Sequence, residues 1–500
     1  MTRTNVTGAQ NHGGNQVRKL AELLPPGTQL RTRSDDAIEI TAITADSRQV
    51  TAGTLFAALP GTRFDGTRFI PDAISAGARA ILAANTAEVG ECPLPVIRTD
   101  DPRRMLALMA ARFYRSQPEI AVAVTGTSGK SSVAEFTRQI FAATGRTSAS
   151  VGTIGVIRPD GSVSGALTTP DPVTLHATLA ELADEGGTHL AFEASSHGLD
   201  QRRLDGVHLA AAAFTNLGRD HLDYHPTVED YLAAKLRLFD TLLPEGRDIV
   251  VNGDAPEAAR IAEIAKARRH RLWRVGRGTD ATLMLENAVP DGFGQRLKIV
   301  YDSSAYDIKL NLIGTYQAMN ALTAAGLALA AGEPLEPVMA ALEKLTVVKG
   351  RLEVVGDVRG ATVVIDYAHK PDALAAALDA LRPFASGRLV SVFGCGGDRD
   401  AGKRAIMGQI SSDKADVTII TDDNPRSEDP AQIRSAILSS APGATDIADR
   451  HEAIAAALRM AAPGDVILIA GKGHETGQIV GDQTLPFSDH DAVAAIMQDL

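Results

Sequence analysis

The apolar positions of the chain follow two alternating rhythms. Short runs such as IAVAV (120–124), HLAFEA (189–194), AAAFTNL (211–217) and DIVVN (248–252) predict buried parallel strands. The stretch VAEFTRQIFAAT instead places Val133, Phe136, Ile140 and Phe141 at helical spacing and ends at Gly145. The same alternation returns later in ATVVIDYA, GRLVSVFG, ADVTIITD and DVILIAG, four apolar strands of which each but the last precedes a helical stretch such as PDALAAALDAL. Ahead of both blocks, short strands and helices alternate up to about residue 118, with a turn at LPGTRFDG and a helix over MLALMAARFYRSQP that Pro118 is expected to stop. The pattern predicts an α/β protein of three domains: 1–118, a central parallel-sheet unit 119–349, and a C-terminal Rossmann-like unit 350–500.

Length agrees, because 500 residues exceed what one hydrophobic core usually organises. Hydrophobic residues at 44% and charged residues at 22% are ordinary for a soluble globular chain. The net charge of −11, with no basic run interleaved with aromatics, argues against nucleic acid or an anionic membrane as partner. Anionic ligands must therefore be met by local clusters. Cys92 and Cys395 are too few for a disulfide framework and too far apart in sequence to suggest a zinc site, which fits a reducing cytosol. The opening MTRTNVTGAQNHGG lacks an apolar signal region and no run of 18 apolar residues occurs, so the chain is expected to be neither exported nor membrane-spanning.

Between the first strand and helix of the central block stands GTSGKSS, residues 126–132. Strand, glycine loop and helix in this order aim backbone N–H groups and the positive helix end at an anion. Gly126, Thr127, Ser128 and Gly129 would cradle the phosphates, Lys130 would reach the terminal ones, and a hydroxyl of Ser131 or Ser132 would ligate Mg²⁺. The loop predicts a P-loop ATPase-type sheet, in the shorter G-x-x-G-K-S-S form, since Val124 stands where the full pattern has glycine. In open α/β sheets ligands bind beyond the carboxyl ends of strands. There the chain is polar: Ser195, Ser196 and His197 follow Glu193, and GRDHLDYH follows AAAFTNL. Glu193 and His221 are candidates to hold a hard divalent cation with phosphate oxygens and water, histidine being an atypical ligand for Mg²⁺.

GTSGKSS, TTPD (168–171), EASSHGLDQRR (193–203), FTNLGRDHLDYH (214–225), YLAAK (231–235), DYAHKPD (366–372), GCGGDRDAGKR (394–404), DNPR (423–426) and GKGHE (471–475) together resemble the Mur ligases. The matches run in order from about Ser47 to Asp489. The resemblance implies an N-terminal domain gripping the UDP end of a substrate, a central ATPase and a C-terminal domain bringing an amino acid. It implies that ATP phosphorylates a carboxylate to an acyl phosphate, which the amine then attacks. Within the family the likeness is to the members that add meso-diaminopimelate to UDP-N-acetylmuramoyl-L-alanyl-D-glutamate, in cytoplasmic peptidoglycan precursor synthesis. The implied partners are small molecules only, the chain acting as a cytoplasmic monomer with ATP as co-substrate and Mg²⁺ as cofactor.

Residue by residue, the resemblance makes Lys130, Glu193, His221 and Lys235 catalytic. Ser131, Glu193, His221 and Lys235 are its metal set, Lys235 as a carbamylated lysine whose local charge has changed sign. Thr227 and Asp230 are placed to cap the helix carrying Lys235. Asn320, Arg351, Asp366 and His369 are implied at the nucleotide, and Ser47, Thr168, Thr169, Ser195, Gln201 and Arg203 at the UDP substrate. For diaminopimelate, which is lysine with an added carboxylate, Arg426 offers a planar fork and Asn424 both donates and accepts. Pro425 fixes that loop, and Asp423, Arg399, Gly471 and Glu475 complete the set. Lysine would leave the arginines unpaired, a mismatch able to discriminate by about 10⁴. Three positions depart from the family pattern: Thr67 stands where histidine is common, and Tyr316 and Gln317 where phenylalanine and asparagine are. A lysine-adding ligase, a folylpolyglutamate synthetase-like ligase and a catalytically silent nucleotide-binding scaffold are the competing readings.

Overall fold

The computed structural model describes residues 16–28, 35–61, 65–165, 168–221 and 224–500. The polar opening, the middle of the LPGTRFDG turn and two positions of FTNLGRDHLDYH lie outside the described residues.

Strands Ala42–Thr44, Thr54–Ala58, Ala80–Ala84 and Val96–Thr99 form a four-stranded parallel sheet in chain order. Helix Pro102–Tyr114 packs on it through Leu106, Met109 and Phe113. Pro102 supplies a preset first position, and the Asp101 side chain accepts from Arg104 N at 2.9 Å. The helix stops at Arg115, whose φ of 64° breaks the helical path, and not at Pro118.

Among the described residues the central sheet has eleven strands. Seven consecutive ones are parallel, in the order Ser148–Gly152, His189–Glu193, Ile120–Thr125, Ala211–Phe214, Asp248–Asn252, Arg271–Gly276 and Leu283–Asp291. Antiparallel strands extend both ends, so the expected parallel sheet is its middle and not its whole. The Ile120 strand is buried on both faces: Val122 and Val124 enter one core, Ala121 and Ala123 the other. Its neighbours follow suit, which leaves only the strand ends for chemistry.

The third sheet runs Glu353–Val358, Ala361–Asp366, Val466–Ala470, Leu389–Phe393, Val417–Ile420, Thr445–Asp446, parallel except for its first pair. All four expected strands are present. After the last of them a hairpin, Gly477–Val480 with Gln483–Pro486, precedes the final helix Asp489–Asp499.

His176, on helix Pro172–Asp184, is buried with Nε2 at 3.1 Å from the Asp205 carbonyl. Burial pulls its pKa from about 6.5 to about 4, the Asp205 contact opposing. Its folded form is neutral, so its contribution to stability is complete above the unfolded pKa and is lost as pH falls from 6.5 towards 4, up to about 3 kcal/mol. His176→Gln is expected to flatten the fall of the urea midpoint across that window; an unchanged slope would refute this.

Candidate active site

Strand Ile120–Thr125 delivers the glycine loop, and helix Lys130–Ala143 leaves it with no side-chain cap. The first amides of an uncapped helix lack intrahelical partners and carry the positive end of its dipole. Gly126 has φ 145°, and a Cβ there would strike Thr215 Oγ1. Gly129 has φ 88°, and its Cβ would lie 2.5 Å from Asn320 Oδ1. Both glycines are required by the close approach of neighbours. Asn216 holds the turn, its carbonyl accepting from Thr127 N at 2.8 Å and its Oδ1 from Ser128 N at 2.9 Å.

The loop opens into a cleft of about 820 Å³ between the central and C-terminal sheets. Thr127, Ser128, Gly129, Lys130, Ser131, Ser132, Glu193, His221, Lys235, Asn320, Arg351, Asp366 and His369 all line it, as do Thr168, Thr169, Ser195 and Arg203. Gly126 lies behind the lining. Ser47, in the N-terminal unit, and Gln201, whose Oε1 accepts from Arg203 Nη2 at 2.7 Å, do not line the cleft. Thr67 does not reach the cleft either; its amide and hydroxyl both bond Asp65 Oδ1 at 2.9 Å.

Charge in the cleft is unusual. Lys130 Nζ donates to the carbonyls of Gly126 and Thr127 at 2.9 and 3.0 Å. Burial and the nearby Lys370 bring its ammonium down to about 8, Glu193 and Asp220 opposing. Lys235 is 1% exposed and donates to Gly126 O at 2.8 Å. Burial, then Lys130 and Lys370, push its pKa well below that of an ordinary lysine, although the Tyr231 ring lies 4.2 Å from its Nζ. Burial would raise the carboxyl of Asp220, yet Lys370 and His221 hold it well below the usual range. Burial also lowers His221 to about 4. Asp366 is raised to about 6 by burial, with Arg351 and the Leu352 amide, 2.7 Å away, opposing.

Two contacts carry the C-terminal unit onto this cleft. Arg351 Nη2 donates to Ser131 Oγ at 3.1 Å while its guanidinium lies 4.5 Å from the centre of the Tyr367 ring. Lys370 meets Asp220 at 2.5 Å. His369 Nδ1 is 2.8 Å from the Tyr367 carbonyl, which places its proton there and leaves Nε2 as the acceptor.

Beyond His369 and Lys370 a second cavity of about 430 Å³ is lined by Arg399, Asp423, Asn424, Arg426, Gly471 and Glu475. Pro425, between two of them, does not line it. Asn424 is held by three bonds: its Oδ1 accepts from Ile479 N at 2.9 Å and Lys472 Nζ at 3.1 Å, and its Nδ2 donates to Glu475 Oε2 at 3.0 Å. It shapes the cavity and keeps its second Nδ2–H for a ligand. Asp423 Oδ2, by contrast, is buried with no hydrogen-bond partner among the described residues. A Cβ on Gly471 would come within 2.6 Å of that oxygen. An unpartnered buried carboxylate oxygen beside two arginines suits a ligand carrying both ammonium and carboxylate groups.

Among the described residues no three histidine, cysteine or carboxylate side chains group as a metal cage. A Mg²⁺ that keeps its waters and nucleotide oxygens asks for only one or two protein carboxylates. Glu193 fits, being 2% exposed and held by Thr153 N at 2.7 Å, without an ion-pair partner among the described residues. Lys235 as an ammonium does not fit, and it becomes a ligand only as a carbamate. Sequence reasoning passed over Asp220, Lys370, Asn216 and Thr153. The first three stand inside motifs it singled out, whereas Thr153 carries no signal.

An uncapped phosphate loop facing, across a cleft, a second α/β unit with its own cavity for a zwitterion defines a multidomain nucleotide-dependent ligase. Comparison with known proteins agrees. The family profiles described as Mur ligase family catalytic domain, Mur ligase middle domain and Mur ligase glutamate ligase domain match residues 39–114, 124–328 and 350–473. The chain is 56% identical over 464 residues, 92% of its length and 95% of the relative's, to UDP-N-acetylmuramoyl-L-alanyl-D-glutamate--2,6-diaminopimelate ligase of Bradyrhizobium diazoefficiens. A solved structure of an enzyme of that name is 30% identical, has a TM-score of 0.71, and covers 97% of this chain and 99% of its own. The Mycobacterium tuberculosis folylpolyglutamate synthase complexed with ADP and AMPPCP shares the fold at 20% identity and TM-score 0.60, covering 72% of this chain and 90% of its own. The chain belongs to the Mur ligase family.

Proposed function

We propose that the chain joins meso-diaminopimelate to the D-glutamate of UDP-N-acetylmuramoyl-L-alanyl-D-glutamate with consumption of ATP. The observation that carries the reading is the pairing of two cavities, one built around a phosphate loop and one around Arg399, Arg426 and the unpartnered Asp423 oxygen. A carboxylate is a poor acyl donor, and a phosphate leaving group repairs that. Both reactants of the first step are anions, so its catalysis is positioning and charge neutralisation. Lys130 and the first amides of helix Lys130–Ala143 receive the terminal phosphates; Arg351 closes over them from the C-terminal unit. Thr168, Thr169, Ser195 and Arg203 hold the dipeptide end of the UDP substrate, with Ser47 toward its UDP end and Gln201 steadying Arg203. Asn320, Asp366 and His369 flank the nucleotide.

Ser131 and Glu193, with His221 and carbamylated Lys235, are the residues that would hold Mg²⁺, which neutralises phosphate charge when bound. Lys235 has the chemistry for this. Only a neutral amine attacks carbon dioxide, and burial beside two other ammonium groups favours the neutral form. Labelled carbon dioxide is therefore expected to appear on the wild-type protein as a carbamate resonance that Lys235→Met abolishes; an unlabelled wild type would refute the modification.

We further infer domain boundaries at 118 and 349, a cytoplasmic setting in peptidoglycan precursor synthesis and action as a monomer. No helix among the described residues is long and apolar enough to cross a membrane. The test of the activity is ADP release with the UDP-dipeptide, ATP and Mg²⁺, comparing meso-diaminopimelate with L-lysine. Turnover with diaminopimelate alone is expected. Turnover with lysine alone would overturn the choice of amino acid, and none with either would overturn the ligase.

A further inference from the structure

The two cavities meet at a ridge that lines both: Asp220 and His221 from the central unit, His369, Lys370 and Arg399 from the C-terminal one. On the reading above, the acyl phosphate forms in the larger cavity and the amine arrives from the smaller. Their bond must therefore form at this ridge. Lys370 stands there with its side chain 15% exposed and its ammonium 2.5 Å from Asp220 Oδ2.

The backbone holds it in place. Lys370 is the extended residue just before helix Pro371–Leu381, and Lys403 Nζ donates to the carbonyl of His369 at 2.8 Å. Its partner Asp220 is shared with His221 Nε2 at 3.1 Å. Lys130, Lys370 and Arg351 thus converge on one cleft from two units. So many cations at close quarters repel one another until an anion enters, and Lys370 is placed to meet that anion on the side from which the amine comes.

We propose that Lys370 is a catalytic residue of the second half-reaction, meeting the phosphate of the acyl phosphate as it leaves. The amine lone pair forms the C–N bond to the acyl carbon. The C–O bond to phosphate breaks and its electron pair departs with the phosphate, while the surplus amine proton passes to water. Lys370 gives up Asp220 for the phosphate oxygens, where negative charge grows. Nothing in this role is needed for phosphoryl transfer from ATP, which Lys130 serves from the opposite wall.

The proposal rests on the ligase reading, and its test separates the two. Lys370→Met and Lys370→Arg are compared with wild type in steady-state amide formation and in the rapid-quench burst of ADP formed without amino acid. The methionine variant is expected to lose about 10²-fold in turnover while its burst stays within about twofold, and arginine to recover most of the loss. Equal loss of burst and turnover, equal behaviour of the two variants, or turnover near wild type in both would overturn the role. A wild type that forms no amide at all would overturn the ligase reading itself. Melting curves of both variants accompany the rates, and a methionine variant that does not fold leaves the arginine variant to decide: a burst kept with turnover between about a tenth and all of wild type supports the role, and a burst lost overturns it.

Discussion

Lys130→Met is expected to lower diaminopimelate-dependent ADP release by about 10⁴-fold, the scale on which single cations act in phosphoryl transfer. The geometry explains so large an effect. The ammonium sits on the carbonyls of Gly126 and Thr127 at the mouth of an uncapped helix, where a transferred phosphoryl group would lie between it and the helix amides. With a pKa near 8 its charged form still prevails about tenfold at pH 7, and an incoming polyanion strengthens that preference. Stability should move the other way or not at all, because the substitution removes one of several like charges from a partly desolvated cleft. Steady-state rates and melting temperature measured together decide it. Turnover within tenfold of wild type would show that the loop does not hold the transferred group, and a collapse in melting temperature would mean that the loss reflects folding.

Why some of this was legible from sequence, and some not, follows from the range of the interactions. Strands such as Val466–Ala470 are buried on both faces and read as unbroken apolar runs, so they were found. Ser148–Gly152 is equally buried, yet SASVG consists mostly of small residues and looks like a turn. The antiparallel meander after Leu283 does carry a period of two, visible in the alternating burial of Gly294–Tyr301, but it lies outside the βα alternation that organised the reading. In the site, most of the residues standing in motifs line two adjoining cavities, because motifs cluster at strand ends and the sheet topology brings those ends together. Pairings such as Asp220 with Lys370 or Arg351 with Ser131 join separate units and have no local signature. Asn424 lies between these limits: its residue type suggested a ligand contact, and its amide lines the smaller cavity while also bonding Lys472, Glu475 and Ile479.

Arg426 is where the choice of amino acid is expected to reside, and Arg426→Met should lower kcat/KM for meso-diaminopimelate by about 10³-fold. The chain invests in its placement. Its backbone is left-handed, with φ 52°, a conformation that costs a non-glycine residue about 1 kcal/mol or more. The hairpin after GKGHE secures it there: Arg426 N donates to the Ile479 carbonyl at 3.0 Å and Gly481 N to the Arg426 carbonyl at 2.7 Å. Gly396 clears the path of the side chain, since a Cβ there would stand 2.7 Å from Arg426 Nη1. That nitrogen donates to the Gly397 carbonyl at 2.8 Å, which orients the guanidinium and leaves its other nitrogens uncommitted among the described residues. A distal carboxylate on the ligand completes the fork. Lysine lacks it and sets its own ammonium near Arg426 and Arg399, so the methionine variant should use lysine no worse than wild type does. Arg426→Lys should restore only part of the diaminopimelate rate, because a point charge does not reproduce a planar fork. Parallel loss on both amino acids would instead make Arg426 a support of the loop, and the selectivity would then have to come from Arg399 and the carboxylates opposite.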